Sequence, residues 1–500
     1  MKQSVLVSLL LAGCQSWNPS VPVPRELTEA GVRARLRIPV DPELARAATV
    51  VPGSPGDPTP ETEPSILSLA DAIEFARRHS PRLRSARATI ERAAGREQAA
   101  FAPLLPQVDL IGQSGITSNN QGPGAPGPTG FLRATGSGNH RYVQEEMQFL
   151  WTIYDFGRRA GRYQEAAARA RITSLQLVRA DQTVQFDVVA AYLNVLLARA
   201  SVLVQEEAIR HAEATLKDAR ARLEGGVADR DDVLRADVQL SESRDAFVSA
   251  REAELVAVAQ LNNVMGRNAA LPLRVEDMRA PPPDASPSLA ESLAVAAAER
   301  PEVNFAREAV VAAEEGLVAA KAAFLPRVYV RASTGRVDAV NVETGWQAGA
   351  GLHIDLPLYT GGELSGDLRT AEGELAAALA DAQTILDGIS LDVSRAFQAE
   401  VAGRQRLDLS RTAVVEAEEN LRLVRVKYRN GDATPTDIVD AETALTRSQQ
   451  RLNSATYTYL DALAGLDYAM GRQQGTILRP VSASGGTPEP LPKERLDTVR

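Results

Sequence analysis

The sequence predicts a mainly α-helical chain with a membrane β-barrel component, built as two copies of one unit. Three observations predict it: a long-range internal repeat, two very long proline-free helical stretches, and four short segments of alternating polarity. The repeat is read by laying the chain on itself. Pro81 and Pro301, and Pro106 and Pro326, are both 220 apart. The offset then drops to 205, pairing Tyr154 with Tyr359, Gly157 with Gly362, Tyr192 with Phe397, Gly226 with Gly431, Asp232 with Asp437, Ala236 with Ala441 and Met265 with Met470. The lost residues fall in the loop from Gly115 to Gly138, rich in glycine, proline, serine and asparagine, which is abbreviated in the second copy.

At the N-terminus, Lys2 supplies a positive charge, Val5 to Leu11 a short apolar run, and Leu11-Ala12-Gly13-Cys14 ends it with small residues. That is the form of an export signal. Cys14 is the sole cysteine, so neither an internal disulfide nor a cysteine zinc site is available. The segment resembles a bacterial lipobox, which implies a signal peptide over 1–13, cleavage before Cys14 and lipidation there. Gln15 after the cysteine fits outer-membrane sorting; a plain secretory signal is the alternative. Residues 14–64 follow as a proline-rich arm (Pro19, Pro22, Pro24, Pro39, Pro42, Pro52, Pro55, Pro58, Pro60, Pro64), which blocks helix and favours extended chain.

The first repeat spans 65–270, a linker 271–287, the second repeat 288–472 and a tail 473–500. Each copy reads helix, strand, loop, strand, long helix, turn, long helix. Gly157 to Glu224 contains no proline and is rich in Ala, Arg, Glu, Gln and Leu; at 1.5 Å per residue it makes a helix of about 100 Å. Val184, Val188, Ala191 and Val195 step along it as a coiled-coil-like seam. Gly362 to Asn430 repeats the design, and return helices run from about Asp229 to Met265 and Thr436 to Met470. Helices this long form a hollow or bundled cylinder.

The strands lie at the other end of each copy. Trp346, Ala348, Ala350, Leu352, Ile354 and Leu356 alternate with Gln347, Gly349, Gly351, His353 and Asp355, the apolar-out, polar-in dyad of a barrel strand. Val143, Met147, Phe149, Trp151 and Ile153 keep the same period, with Glu145 the exception. Val108 and Leu110, then Val328 and Val330, supply two weaker strands. Four strands close no lumen, since about eight are needed even for a filled barrel. The barrel is therefore shared between chains: twelve strands from three copies leave an open interior, eight from two a narrow one, and a soluble sandwich is the remaining alternative.

Composition excludes several classes. Hydrophobic residues at 44% and charged residues at 24% describe a folded protein. No uninterrupted apolar run of about 18 residues is present, so a spanning helix is not expected. The formal net charge of −9 argues against nucleic acid. His79, His140, His211 and His353 fall on unrelated elements, and no phosphate loop, nucleophile elbow or zinc-protease motif occurs. No catalytic site, metal or cofactor is expected.

The ordered combination of Leu69-Ala70-Asp71-Ala72-Ile73 with His79-Ser80-Pro81, then Pro357-Leu358-Tyr359-Thr360-Gly361-Gly362, then Tyr428-Arg429-Asn430-Gly431-Asp432-Ala433-Thr434-Pro435-Thr436-Asp437-Ile438-Val439-Asp440-Ala441 resembles the TolC family of outer-membrane efflux and secretion channels. The resemblance implies a homotrimeric TolC-like fold: a 12-stranded barrel, four strands from each chain, in the Gram-negative outer membrane and an α-helical tunnel in the periplasm. It implies a passive channel of a tripartite efflux system, with a periplasmic adaptor (membrane fusion) protein and an inner-membrane pump of RND or ABC type as partners. A type I protein secretion channel and a non-conducting, periplasm-spanning structural lipoprotein are the alternatives.

Family members close the periplasmic end with acidic residues in the helix after this turn, and Asp437 and Asp440 stand at those positions. Three apart, they share a helix face; threefold symmetry gathers six carboxylates, which raise one another's pKa and select cations. Asp437 also suits a helix N-terminus. In the first copy, Asp232 follows Asp229-Arg230-Asp231, where the family more usually has hydrophobic or neutral residues, and Arg230 is placed to pair with a neighbour's acid or to stay solvated. Gly226 and Gly431 are expected as positive-φ turn residues. Gly225, Gly226 and Val227, with Asn430, Gly431 and Asp432, form the carried-over adaptor contact. Trp151, Phe149, Trp346 and Tyr359 are expected in interfacial aromatic belts.

Overall fold

A computed structural model describes residues 66–119, 138–226, 229–278, 287–339, 345–430 and 432–472. The signal peptide, Cys14 and the arm, Val227, Gly431, and the tail 473–500 lie outside the described residues. The first repeat runs α1 (Leu69–His79), α2 (Pro81–Phe101), a 3-10 turn (Ala102–Leu104), β1 (Gln107–Asn119), β2 (Gly138–Tyr154), α3 (Arg158–Glu224) and α4 (Arg230–Met265). The second runs α5 (Leu289–Glu299), α6 (Pro301–Ala322), β3 (Arg327–Ala339), β4 (Gly345–Asp355), α7 (Glu363–Asn430) and α8 (Pro435–Met470).

The expected register holds element by element. β1 and β3 begin 220 apart, α4 and α8 205 apart. The boundary residues explain why. Pro81 and Pro301 each open a helix at its first turn, where the missing N–H costs nothing. Gly266 and Gly471 end α4 and α8 at φ 81° and 82°. In both cases the next amide closes back on the helix, Arg267 N–H to Asn262 O at 2.8 Å and Arg472 N–H to Asp467 O at 2.9 Å.

The main core sits midway along α3, against the C-terminal ends of α4 and α8. Val188, Tyr192, Leu193 and Leu196 of α3 pack with Leu261 and Met265 of α4, Leu460 and Leu463 of α8, and Ala72 and Ala76 of α1. α3 also contains the one described stretch long and apolar enough, by composition, to cross a membrane, with mean hydropathy 1.7; its apolar residues Val184, Val188, Val195 and Leu196 are buried in this core. The segment expected as a linker, 271–287, begins as packed structure: Leu67 pairs with Val275 as an isolated parallel bridge. Leu273, Val275 and Met278 are buried. The Tyr192 hydroxyl is shared between Leu67 O at 3.0 Å and Glu276 O at 2.8 Å, and Phe397 at the equivalent position lacks it.

The strands form one antiparallel sheet in the order β1-β2-β3-β4. Its register segregates the side chains. Val108, Phe149, Ala332 and Ala350 lie in one row, and Leu110, Met147, Thr334 and Ala348 in the next. Gln107, Asp109, Gln148, Glu146, Ser333, Arg331, Gly351 and His353 lie on the other face. Leu110, Leu352, Ile354 and Trp346 are all exposed on the apolar face, and no second sheet among the described residues covers it as a soluble sandwich requires.

Candidate functional site

The hairpin tips, at the end of each repeat away from the sheet, are built from helix ends. α3 stops at Gly225, which is right-handed at φ −76°, and Gly226 makes the turn at φ +70°, a conformation that disfavours any side chain. α8 opens with a capping box: Asp437 accepts from the Thr434 amide at 2.7 Å and from its hydroxyl at 2.8 Å, while the Asp437 amide donates to Thr434 Oγ1 at 3.3 Å. These bonds hold the Asp437 carboxyl below its ordinary range, the Thr434 amide contributing most. In the isolated chain the shift is thus downward, the reverse of the crowding effect expected of an assembled ring. Asp232 occupies the same place in α4, accepting from the Asp229 amide at the longer distance of 3.4 Å.

Asp440 is exposed one turn further on and has no hydrogen-bond or ion-pair partner among the described residues. Arg230, at the first position of α4, likewise has none. Within the chain Arg235 joins the tips, a contact that sequence reasoning missed. It pairs with Asp231 through Nε at 2.9 Å and Nη2 at 2.8 Å, and its Nη1 donates to Thr436 Oγ1 on the other hairpin at 3.3 Å. Arg222 makes a second tie, donating to Tyr428 O at 2.5 Å with its guanidinium 3.7 Å above the Tyr428 ring. The 205-residue register held the signal, since it lays Arg235 on Asp440.

Above the tips a polar knot joins both hairpins. Buried Glu442 of α8 accepts from Thr215 Oγ1 of α3 at 3.0 Å and Arg425 of α7 at 3.1 Å. Arg425 also lies 2.9 Å from His211 Nδ1. Burial, then Arg425, pushes the His211 pKa down, so the ring is neutral at neutral pH.

On the sheet, the apolar face is bounded at both ends. Trp151 donates from Nε1 to Leu104 O at 3.4 Å where the sheet meets the helices, and Tyr359 is 90% exposed just past β4. Trp346 is 74% exposed at the far end. Phe149 lies between these ends, in one row with Val108 and Ala332. Glu145, the exception to the alternation, stands opposite Arg336, and Arg336 opposite Trp346: the charges mark the outer rim. From Ile354 to Trp346 the face measures about 27 Å along the strand, or about 21 Å when tilted by roughly 40°, near the ~25 Å apolar band of a membrane barrel.

Comparison with known proteins places this architecture. The sequence profile described as "Outer membrane efflux protein" matches residues 72–267 and 293–472, one stretch in each repeat. The outer membrane efflux protein BepC of Brucella suis is 27% identical over 58% of this chain, and the match spans 64% of its own length. Outer membrane protein TolC of Salmonella enteritidis is 26% identical over 85% of this chain and 86% of its own. Among solved structures, the outer membrane protein VceC of Vibrio cholerae superposes with a TM-score of 0.71, at 20% identity, over 81% of this chain and 96% of that one.

Proposed function

The chain belongs to the outer membrane efflux protein family, and on that premise we propose that it is the passive outer-membrane channel of a tripartite efflux system. The observation that supports this best is the sheet: four antiparallel strands with an exposed apolar face and no pairing between β1 and β4. Two open edges are a template for other strands. Three copies close twelve strands around a lumen, whereas two give eight and fill it with side chains. The helices agree, because Leu234, Val238, Val248 and Leu255 of α4 and Leu379 and Leu386 of α7 are exposed in the single chain, at the spacing of contacts between helices.

In this reading the trimer is lipid-anchored at Cys14 in the Gram-negative outer membrane and extends a tunnel of about 100 Å into the periplasm. Solutes reach it from the periplasm or from an inner-membrane pump of RND or ABC type, through a periplasmic adaptor that docks around Gly225–Val227 and Asn430–Asp432. Asp437 and Asp440, with Asp232 and Arg230 alongside, form the closed periplasmic gate. Trp151, Phe149, Trp346 and Tyr359 seat the barrel in the bilayer.

Planar-bilayer recording of the purified protein tests the function. Small cation-selective currents that grow and lose selectivity in Asp437→Ala/Asp440→Ala support channel and gate together. Mutation-independent conductance removes the gate, and a folded trimer that never conducts favours a structural lipoprotein. Accumulation of small toxic solutes in a deletion strain, against loss of an exported polypeptide, separates efflux from type I secretion. Mass spectrometry of the mature N-terminus reads the lipid on Cys14.

A further inference from the structure

Where the sheet meets the helices, a recess of about 290 Å³ opens on the polar side, lined by Gln107, Leu150 and Thr152 of the sheet and by Arg158, Arg159, Arg162 and Arg327. Gln107, Leu150, Thr152 and Arg327 all belong to the face opposite the apolar band, which in a closed barrel is the lumenal face. Asp155 is the one acid in the lining. It is committed to Arg159, accepting from Nε at 2.8 Å and the backbone amide at 3.0 Å. Arg159 gives a further N–H to Pro103 O at 2.9 Å, and Arg327 pairs with Asp355 at 2.7 Å.

The Arg158 and Arg162 guanidinium groups have no hydrogen-bond or ion-pair partner among the described residues, although the Arg158 amide donates to Asp155 O at 3.1 Å. They stand one turn apart at the start of a helix whose first turn contains no acid. The second repeat has Glu363 and Asp367 at the equivalent positions, 205 residues on. The fold therefore accepts either sign here and does not itself call for arginine. Burial lowers the Arg158 pKa most, and Arg162 and Arg327 lower it by more than Asp155 and Asp367 raise it. The recess is electropositive although acids stand nearby. Guanidinium forks that converge with free N–H donors suit an oxyanion rather than a halide.

We propose that this recess is an anion-binding site, one per chain, that takes a multivalent phosphate-type oxyanion from the lumen. Its lumenal placement rests on the barrel reading above; the binding itself does not. Three such recesses set a basic collar at the barrel base, opposite in sign to the acidic tip, so anionic solutes meet an attractive station after the gate.

Isothermal titration of inorganic pyrophosphate into the full-length, detergent-solubilised protein tests it at constant ionic strength. Saturable binding of one equivalent per chain is expected, weakened at least tenfold in Arg162→Gln, whose exposed side chain leaves the fold intact, and in Arg158→Gln/Arg162→Gln. Asp367→Arg, which adds a fork beside Arg158, should tighten it. No saturable binding by the wild type, or binding unchanged in Arg162→Gln, overturns the site whether or not the protein conducts. In bilayers, pyrophosphate added at the barrel side of a conducting trimer should reduce current in the wild type and not in the double variant.

Discussion

The two repeats share a backbone and disagree in charge. Asp232 and Asp437 are both aspartate at the third position of a helix, and both reach back to the cap amide. Three residues on, the first repeat has Arg235 and the second Asp440. Near the far ends of the same helices stand Asn262 and Asp467, and at the barrel base Arg158 and Glu363. A duplicated fold separates two kinds of residue. What both copies keep at a helix start is explained by the helix. What they do not share needs another explanation, and Asp440, exposed and without a side-chain partner among the described residues, is the clearest case.

The sharpest break of this comparison uses Asp440→Asn and Asp437→Asn as single variants in bilayers. If the shared aspartate is chiefly a cap and the unshared one chiefly a gate, Asp440→Asn takes most of the cation selectivity. Asp437→Asn then takes much less of it and slackens the start of α8. Equal effects on permeability ratio would mean that position, not repeat difference, decides.

The next largest effect concerns Asp467. Burial raises its pKa from 3.8 to about 7, with Arg472 opposing the shift and Glu299 adding to it, and its Oδ1 has no hydrogen-bond partner among the described residues. The folded state therefore holds a proton that the unfolded chain releases near pH 4. The contribution is present below pH 4, is lost as pH rises towards 7, and is flat above. Asn262 shows that the other repeat accepts an amide here, its Nδ2 donating to Leu271 O at 2.8 Å. Asp467→Asn should thus flatten the pH dependence of thermal unfolding and stabilise the protein at pH 8 by on the order of 2 kcal/mol. A slope between pH 4 and 7 that survives the substitution would refute the assignment.

Much of this was legible in the sequence because the repeat supplied it twice. Helix ends at Pro81, Pro301, Gly266 and Gly471, the four strands, and the tip turn at Gly226 follow from local chemistry and from a constant register. Pairing across elements was not legible. Nothing local says that Arg235 reaches Thr436, that Arg222 lies on Tyr428, or that Arg425, His211 and Glu442 meet, since each joins residues brought together by the side-by-side hairpins. A related limit holds for Phe149: period two gives the face of a strand but not the height at which the sheet crosses the membrane. Residues 271–278 read as linker because three spaced apolar side chains are too few to show a period, yet they complete the core beside Tyr192.

The smaller predictions sharpen the comparison at the caps. Thr434→Ala removes a hydroxyl that accepts from the Asp437 amide at 3.3 Å and should cost about 1 kcal/mol, the usual loss for such a cap. It should be seen as faster amide exchange in the first turn of α8, with Asp229→Ala changing the first turn of α4 less, since the Asp229 side chain makes no cap hydrogen bond like that of Thr434. Arg235→Gln should do least to stability. Its pair with Asp231 is 58% and 67% exposed, and exposed pairs contribute about 0 to 1 kcal/mol. Its other bond joins the two hairpins, so the same substitution should raise open probability at the tip even where the melting temperature stays put. A trimer in which Arg235→Gln changes neither would reduce the arginine to a solvated surface charge and leave the difference between the repeats at this position resting on Asp440.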